Sequence, residues 1–353
     1  MKVLLICPTN LKFMPYVDSY LSLLKENNIS YTFLIWDRFL EEDDSCKNVF
    51  KRGPKKHQRG FFDYYLFGRF VRRHLDDNEY HKIICFGLQT AFFIRGKLRS
   101  KYSKNFIIDV RDHNKIVSLY NFENLISHSA FTVISSSGYL SWLPKEKRYL
   151  VNHNFYPENL SNIYDVDFNV ENKVFISSIG ALRDLEVNLK LIEKLDNDEE
   201  IQLNFHGHGD INSKLELSSV NFRNVEITGY YEKENEVNLY RNANLVNVLR
   251  YSDGINNHTA LPNRLYLAPY FGRPLFAYSG TYLAQVIEKY ELGLVIDSFD
   301  NVRDAVFRYF ADFDALTFDK ARRKFLNEII DENSVFKREF HLFIHQVEHK
   351  EVI

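Results

Sequence analysis

The chain has 353 residues, 45% hydrophobic and 26% charged, an ordinary globular composition long enough for two domains rather than one. A formal net charge of -2 excludes a binder of nucleic acid that is basic throughout. No apolar run reaches the roughly 18 residues of a membrane-crossing helix. Cys7, Cys46 and Cys85 have neither pairing nor metal spacing, which points to a reducing compartment.

The first residues, MKVLLICPTN, read as a buried strand over Val3–Cys7. They do not read as a secretory leader, because the apolar run stops at Pro8 with no small-residue cleavage site. Further β-branched or aromatic runs follow at Tyr31–Trp36, Lys82–Phe86, Asn105–Val110, Phe131–Ser135 and Arg148–Asn152. A second series comprises Lys173–Ser177, Ile201–His206, Asn224–Thr228, Leu245–Leu249, Leu275–Tyr278 and Gly293–Ile296. Amphipathic stretches lie between them, such as Pro15–Glu26, Leu185–Leu195 and Glu234–Arg241; Leu185, Leu189, Ile192 and Leu195 keep helical spacing. Strand and helix in alternation predict parallel sheets. The expectation is an α/β protein of two doubly wound, Rossmann-like domains facing a cleft, with six strands in each. The polar, Pro-containing segment 154–172 reads as the linker between residues 1–153 and 173–334. From Val302 onward the chain reads as helical, with Phe336, Phe340, Phe343 and Ile344 on its apolar positions.

In such folds ligands meet the carboxyl ends of the strands, so the loops there carry the candidate chemistry. Gly180 and Arg183 follow one strand and precede a helix, which suits a phosphate or a plain strand-to-helix turn. His206-Gly207-His208-Gly209 follows the next strand, where close backbone packing alone explains the glycines. A metal reading of the two His lacks an acidic or Cys partner at the right spacing. Gly229 and Tyr230 close a third strand and suit stacking on a base or simple packing. The stretch DGINNHTALPNRLYLAPYFGRP is the most informative. Asn263, after Pro262, suits a helix cap, but that leaves Asp253, Asn256, Asn257, His258 and Arg264 unexplained in a loop fit for hydroxyls and phosphates. In the first half, Asp109-Val110-Arg111-Asp112-His113 ends a strand and reads equally as an acid/base site or an ion-paired turn. Asp43-Asp44 and Asp165-Val166-Asp167 read as solvated acidic segments.

These segments, in their order, resemble a known family. IGALRDLEVNLKLIEKL, LNFHGHG, NVEITGYYEKENEVNLYRNANLVNVL and LPNRLYLAPYFGRPLFAYSGTYLAQVIEKYELGLVIDS are similar to GT-B glycosyltransferases of the family 4-like kind. The likeness is closest to bacterial glucosyl- and galactofuranosyltransferase-like proteins. FIIDVRDH and AFTVISSSGYLSWL extend it into the first half, so that it covers nearly the whole chain. The resemblance implies a nucleoside diphosphate sugar, a UDP-sugar by preference, as donor substrate, with no cofactor and no metal. It implies that 173–334 holds the donor and 1–153 a glycan acceptor, lipid-linked in many relatives, with the last helix, 335–353, returning to the first domain. The diphosphate would lie near Gly180 and Arg183, and the nucleoside near His206, Gly207, Gly229 and Tyr230. The sugar would lie against Asp253, Asn256, Asn257 and the helix beginning at Asn263 and Arg264. Asp112 and His113 would orient the acceptor or move its proton. The chain departs from many relatives: Thr259 and Leu267 replace two glutamates eight apart, and Ala181 and Glu186 fall where an Arg and a Lys are usual. A nucleotide-sugar epimerase of the same fold and a non-catalytic binding subunit are the alternatives.

The segment 51–75 carries eight Lys or Arg against one acidic residue, Asp63, interleaved with Phe61, Phe62, Tyr64, Tyr65, Phe67 and Phe70. It suits an anionic membrane surface, or an amphipathic helix preceded by a solvated basic loop. A nucleic-acid surface is disfavoured, because the rest of the chain offsets the charge. The location expected is cytoplasmic, at the inner face of the cell membrane.

Overall fold

The computed structural model describes residues 1–42, 48–56, 58–145, 147–157, 160–167, 170, 173–219 and 221–346. Asp43-Asp44, Cys46 and parts of 154–172 and 335–353 lie outside the described residues. The chain divides into two compact units. One is Met1–Tyr156 with the segment from Asp331 onward, and the other is Pro157–Ile330.

In the first unit the order is β1 Lys2–Cys7, α1 Val17–Glu26, β2 Ser30–Asp37, β3 Val49–Lys51, α2 Phe61–Asp77 and β4 Lys82–Phe86. Then come α3 Leu88–Lys101, β5 Phe106–Val110, α4 Ile116–Leu119, α5 Glu123–His128, β6 Thr132–Ile134 and β7 Tyr149–Val151. The sheet is parallel and seven-stranded, in the order β3-β2-β1-β4-β5-β6-β7. The sequence predicted six strands. The extra one, β3, is a three-residue edge strand paired to Ile35–Asp37, too short to show any alternation. Strands β4 and β5 are buried along their whole length, which is why they read as continuous apolar runs.

In the second unit the order is β8 Val174–Ile179, α6 Leu185–Lys194, β9 Ile201–His206, α7 Asn212–Ser219, β10 Val225–Gly229, α8 Glu236–Arg241 and β11 Leu245–Asn247. Then follow α9 Ile255–Thr259, α10 Arg264–Tyr270, β12 Leu275–Tyr278, α11 Tyr282–Lys289, β13 Gly293–Ile296, α12 Val302–Ala311 and α13 Ala315–His345. The six strands are parallel, in the order β10-β9-β8-β11-β12-β13. The order reverses between β8 and β11, and such a switch point opens a crevice at the carboxyl ends of its two strands. One face of the sheet packs Ile176, Leu203 and Phe205 against Val187 and Leu191 of α6 and Leu215 of α7.

The segment 154–172 is more than a solvated tether. Asp167 forms an ion pair with the buried Arg273 at 2.7 Å, and Tyr164 packs on Phe271 with ring centroids 4.9 Å apart. The division between units falls inside α13. Its later turns bury Phe336, Phe340, Phe343 and Ile344 in the core of the first unit, against Tyr20, Leu24 and Phe131.

Candidate functional site

At the switch point of the second unit, the loops after β8 and β11 are tied together by amides. Asn188 donates to the carbonyls of Arg183 (3.0 Å) and Asp184 (2.8 Å), and accepts from the amide of Asn247 (2.8 Å). The carbonyl of Asn247 accepts from Arg264 at 2.8 Å. Asn188 and Asn247 are buried, so these bonds fix the start of α6, the end of β11 and the start of α10 with little freedom. Asp184 precedes α6 with φ at +60°, a backbone region an Asp tolerates better than most residues. Its carboxylate accepts from Asn257, which also donates to Asp253, both at 2.9 Å.

Two cations converge here. Burial lowers the pKa of Arg264, and the like charge of Arg183 lowers it further, while Tyr240, Asp184 and Tyr231 act to support the charge. Arg183 is exposed. A partly desolvated guanidinium beside a second one, at the start of a ten-residue helix, is a setting that favours an anion.

Gly180 and Gly207 shape the neighbouring edge. A Cβ on Gly207 would stand 1.9 Å from the Gly180 carbonyl oxygen, and one on Gly209 1.8 Å from that of Leu182. The loops after β8 and β9 therefore touch backbone to backbone. His206 is buried at the end of β9, its Nδ1 2.9 Å from the Thr228 hydroxyl; desolvation holds its pKa below the ordinary 6.5. His208 is exposed. Among the described residues no cluster of three or more His, Cys, Asp or Glu could hold a metal ion. Gly229 ends β10 with φ at +69°, and the exposed Tyr230 shares a hydrogen bond with Glu232.

Two readings of the polar stretch 253–263 are corrected. It is not all loop, since Ile255–Thr259 forms a turn of helix. Asn263 occupies the N-cap position of α10 but is itself helical, at φ -57° and ψ -31°, and its side chain makes no capping bond. A helical residue at that position turns its side chain away from the next N–H groups.

In the first unit, Asp109 and Arg111 form a bidentate pair, at 2.6 and 2.7 Å. Tyr20 donates to Asp109 at 2.5 Å, and Arg111 donates to the Asn152 carbonyl (2.9 Å) and the Asn154 side chain (2.7 Å). Burial opposes the charge of Arg111, but Asp109 and two tyrosines outweigh it and its pKa is raised. These two residues are therefore structural. Asp112 is exposed, and His113 stands edge-on to Trp142 with centroids 5.0 Å apart. Desolvation lowers the His113 pKa, so its imidazole is neutral near pH 7 and able to accept a proton.

No family profile matches the chain, and no curated protein matches it in sequence. Solved structures do match. Sucrose-phosphate synthase from Thermosynechococcus elongatus superposes with a TM-score of 0.70 at 14% identity, covering 98% of this chain and 99% of the other. HepE of Anabaena, in complex with UDP, gives 0.66 at 12%, covering 96% and 99%. The lipopolysaccharide outer core galactosyltransferase WaaB gives 0.65 at 15%, covering 98% and 99%. The chain has the GT-B fold.

In GT-B terms the second unit supplies Arg183, Asp253, Asn257 and Arg264 at one crevice, while His206 and Tyr230 line the adjoining sheet face. Sequence reasoning passed over Asp184, Asn188 and Asn247. Asp184 had a signal, an Asp immediately before a helix. Asn247, inside the apolar run LVNVL, had another: a polar residue in a buried strand needs a partner.

Proposed function

We propose that the protein is a glycosyltransferase that moves a sugar from a nucleoside diphosphate sugar, a UDP-sugar by preference, to a glycan or lipid-linked glycan acceptor. The observation that carries the reading is the convergence of Arg183 and Arg264 at the switch point, beside the start of α6. In transfer, the bond between the anomeric carbon and the β-phosphate oxygen breaks, and the acceptor oxygen bonds that carbon. The nucleoside diphosphate leaves with added negative charge. Two guanidiniums and a helix N-terminus answer that charge, and in this reading no metal ion is required. Asp253 and Asn257 suit the sugar hydroxyls. HepE of Anabaena also has a solved structure in complex with UDP-glucose, which supports a nucleotide sugar here.

The acceptor belongs to the first unit. His113 takes the proton of the attacking hydroxyl, and Asp112 orients it. The surface 51–75 holds the enzyme at the inner face of the cell membrane, on the cytoplasmic side. One observation favours a non-catalytic binding subunit instead. Thr259, standing where many relatives have glutamate, is buried and donates to Ile255 within α9, leaving no carboxylate at that position.

The test is calorimetric titration of UDP and of uridine. Arg183→Ala and Arg264→Ala should each weaken UDP about tenfold or more, equivalent to about 1.4 kcal/mol, and leave uridine unchanged. Equal losses on both ligands would remove the arginines from the phosphate site. Binding of UDP without hydrolysis of any UDP-sugar would favour the binding subunit.

A further inference from the structure

The second face of the sheet in the second unit carries a separate groove. Positions alternate along β8, β9 and β10. Ile176, Leu203, Phe205 and Ile227 face the core, and the positions between them include Phe175, Asn204, His206, Glu226 and Thr228. These open onto a groove of about 1040 Å³, bounded on its other side by residues from Tyr230 to Asn244, α8 included. That volume lies just above the roughly 300–1,000 Å³ of ligand sites.

Its lining is rich in amides. Five side-chain amides, of Asn204, Asn235, Asn238, Asn242 and Asn244, share it with the carboxylates of Glu226 and Glu232. An amide offers a donor and an acceptor side by side, and a carboxylate accepts from two neighbouring hydroxyls. Tyr230, 74% exposed, and Tyr231 add aromatic faces at one end. Charge excludes an anion. Glu226, Glu232 and Asp167 stand against one lining guanidinium, Arg241, which Asp167 holds at 3.5 Å. The floor is also incomplete. Asn204 is 8% exposed, and its side-chain oxygen has no hydrogen-bond partner among the described residues. A buried amide left unpaired is costly, and a ligand hydroxyl would satisfy it once the amide turned.

We propose that this groove binds a neutral oligosaccharide, its hydroxyls held by Asn204, Asn238 and Glu226 and a pyranose face resting on Tyr230. Its Tyr231 end adjoins the arginine crevice, and the proposal does not rest on the transferase reading. A glycan held there would stay on the protein while nucleotides exchange.

The experiment uses the full chain on a printed array of neutral, sialylated and phosphorylated oligosaccharides, followed by calorimetry on the glycans retained. Asn204→Leu and the exposed Asn238→Leu should each weaken neutral glycans tenfold or more and leave UDP affinity unchanged. Asn238→Leu keeps the test open if the buried substitution prevents folding. No neutral glycan retained, only charged glycans retained, or affinity untouched by Asn238→Leu would overturn the proposal. Joint loss of UDP and glycan in Asn238→Leu would make the groove part of the nucleotide site and also overturn it. Failure of the transferase reading would appear separately, as wild-type protein that binds no UDP.

Discussion

His113 and Gly207 show how much one residue's surroundings decide. His113 is a candidate base because desolvation lowers its pKa from the ordinary 6.5 and leaves the ring neutral. The sign is direct. The base works unprotonated, so kcat/KM should fall as pH drops through a value below 6.5. His113→Ala should lower turnover by about 100-fold or more, remove that acidic limb and leave UDP affinity intact. Asp112→Asn should lower turnover less. Wild-type rates in both would take this strand end out of the mechanism. Gly207 is fixed by sterics. Its φ of +128° and the 1.9 Å from a Cβ to the Gly180 oxygen leave no relaxed alanine. Gly207→Ala should cost about 3 kcal/mol or more in urea denaturation. Gly96, inside α3 with nothing within 4 Å of its Cβ position, is the converse case. Gly96→Ala should add about 0.5–1 kcal/mol. Similar effects at the two sites would mean that the loops after β8 and β9 do not touch.

At the scale of elements, α13 is the piece that sequence order alone does not place. Phe340 is fully buried and meets Tyr20 at 5.3 Å, ring edge to face, and Tyr20 in turn donates to Asp109. Phe340→Ala should therefore cost about 3–5 kcal/mol, measured by chemical denaturation; a cost under about 1 kcal/mol would show that the helix end does not pack there. The apolar spacing of Phe336, Phe340 and Phe343 was legible because a buried helix face must repeat. So were Ile201–His206, Leu275–Tyr278 and Gly293–Ile296, whose strand boundaries match residue for residue. Three kinds of feature were not legible. β3 has three residues and an edge position, and α9 is a single turn that is polar apart from Ile255. The Asn188–Asn247–Arg264 chain joins residues far apart in sequence; a pairing of that kind leaves no local pattern. The ion pair of Asp109 with Arg111 was open to two readings, because spacing gives proximity without telling which groups are already satisfied.

The whole molecule is nearly neutral, at -2, yet its first unit concentrates cations in 51–75. The structure divides that segment. Arg52 pairs with Asp63 at 2.8 Å, and Arg59 donates to the carbonyls of Arg38 (3.0 Å) and Arg52 (2.8 Å). Tyr64 and Phe67 are buried against Trp36. These groups serve the fold. Lys51, Lys55, Lys56, Arg69 and Arg73 are exposed, and Phe61 and Phe62 at the start of α2 are 58% and 63% exposed. Exposed rings and exposed cations in one segment suit an anionic interface, where each Lys or Arg contributes about 1 kcal/mol. Among the described residues no helix is long and apolar enough to cross a membrane. Sedimentation with vesicles of graded phosphatidylserine content should show binding that rises with anionic lipid and falls as salt is raised. Changing Lys55 and Lys56 to Ser should reduce the salt-dependent part, and Phe61→Ser with Phe62→Ser the part that persists at high salt. Arg52 and Arg59 stay unchanged, because their loss would disturb the fold and mimic the effect. Equal binding to neutral and anionic vesicles would remove the cations from the contact. No binding to either, with full turnover on a soluble acceptor, would leave 51–75 as an amphipathic helix with a solvated basic approach.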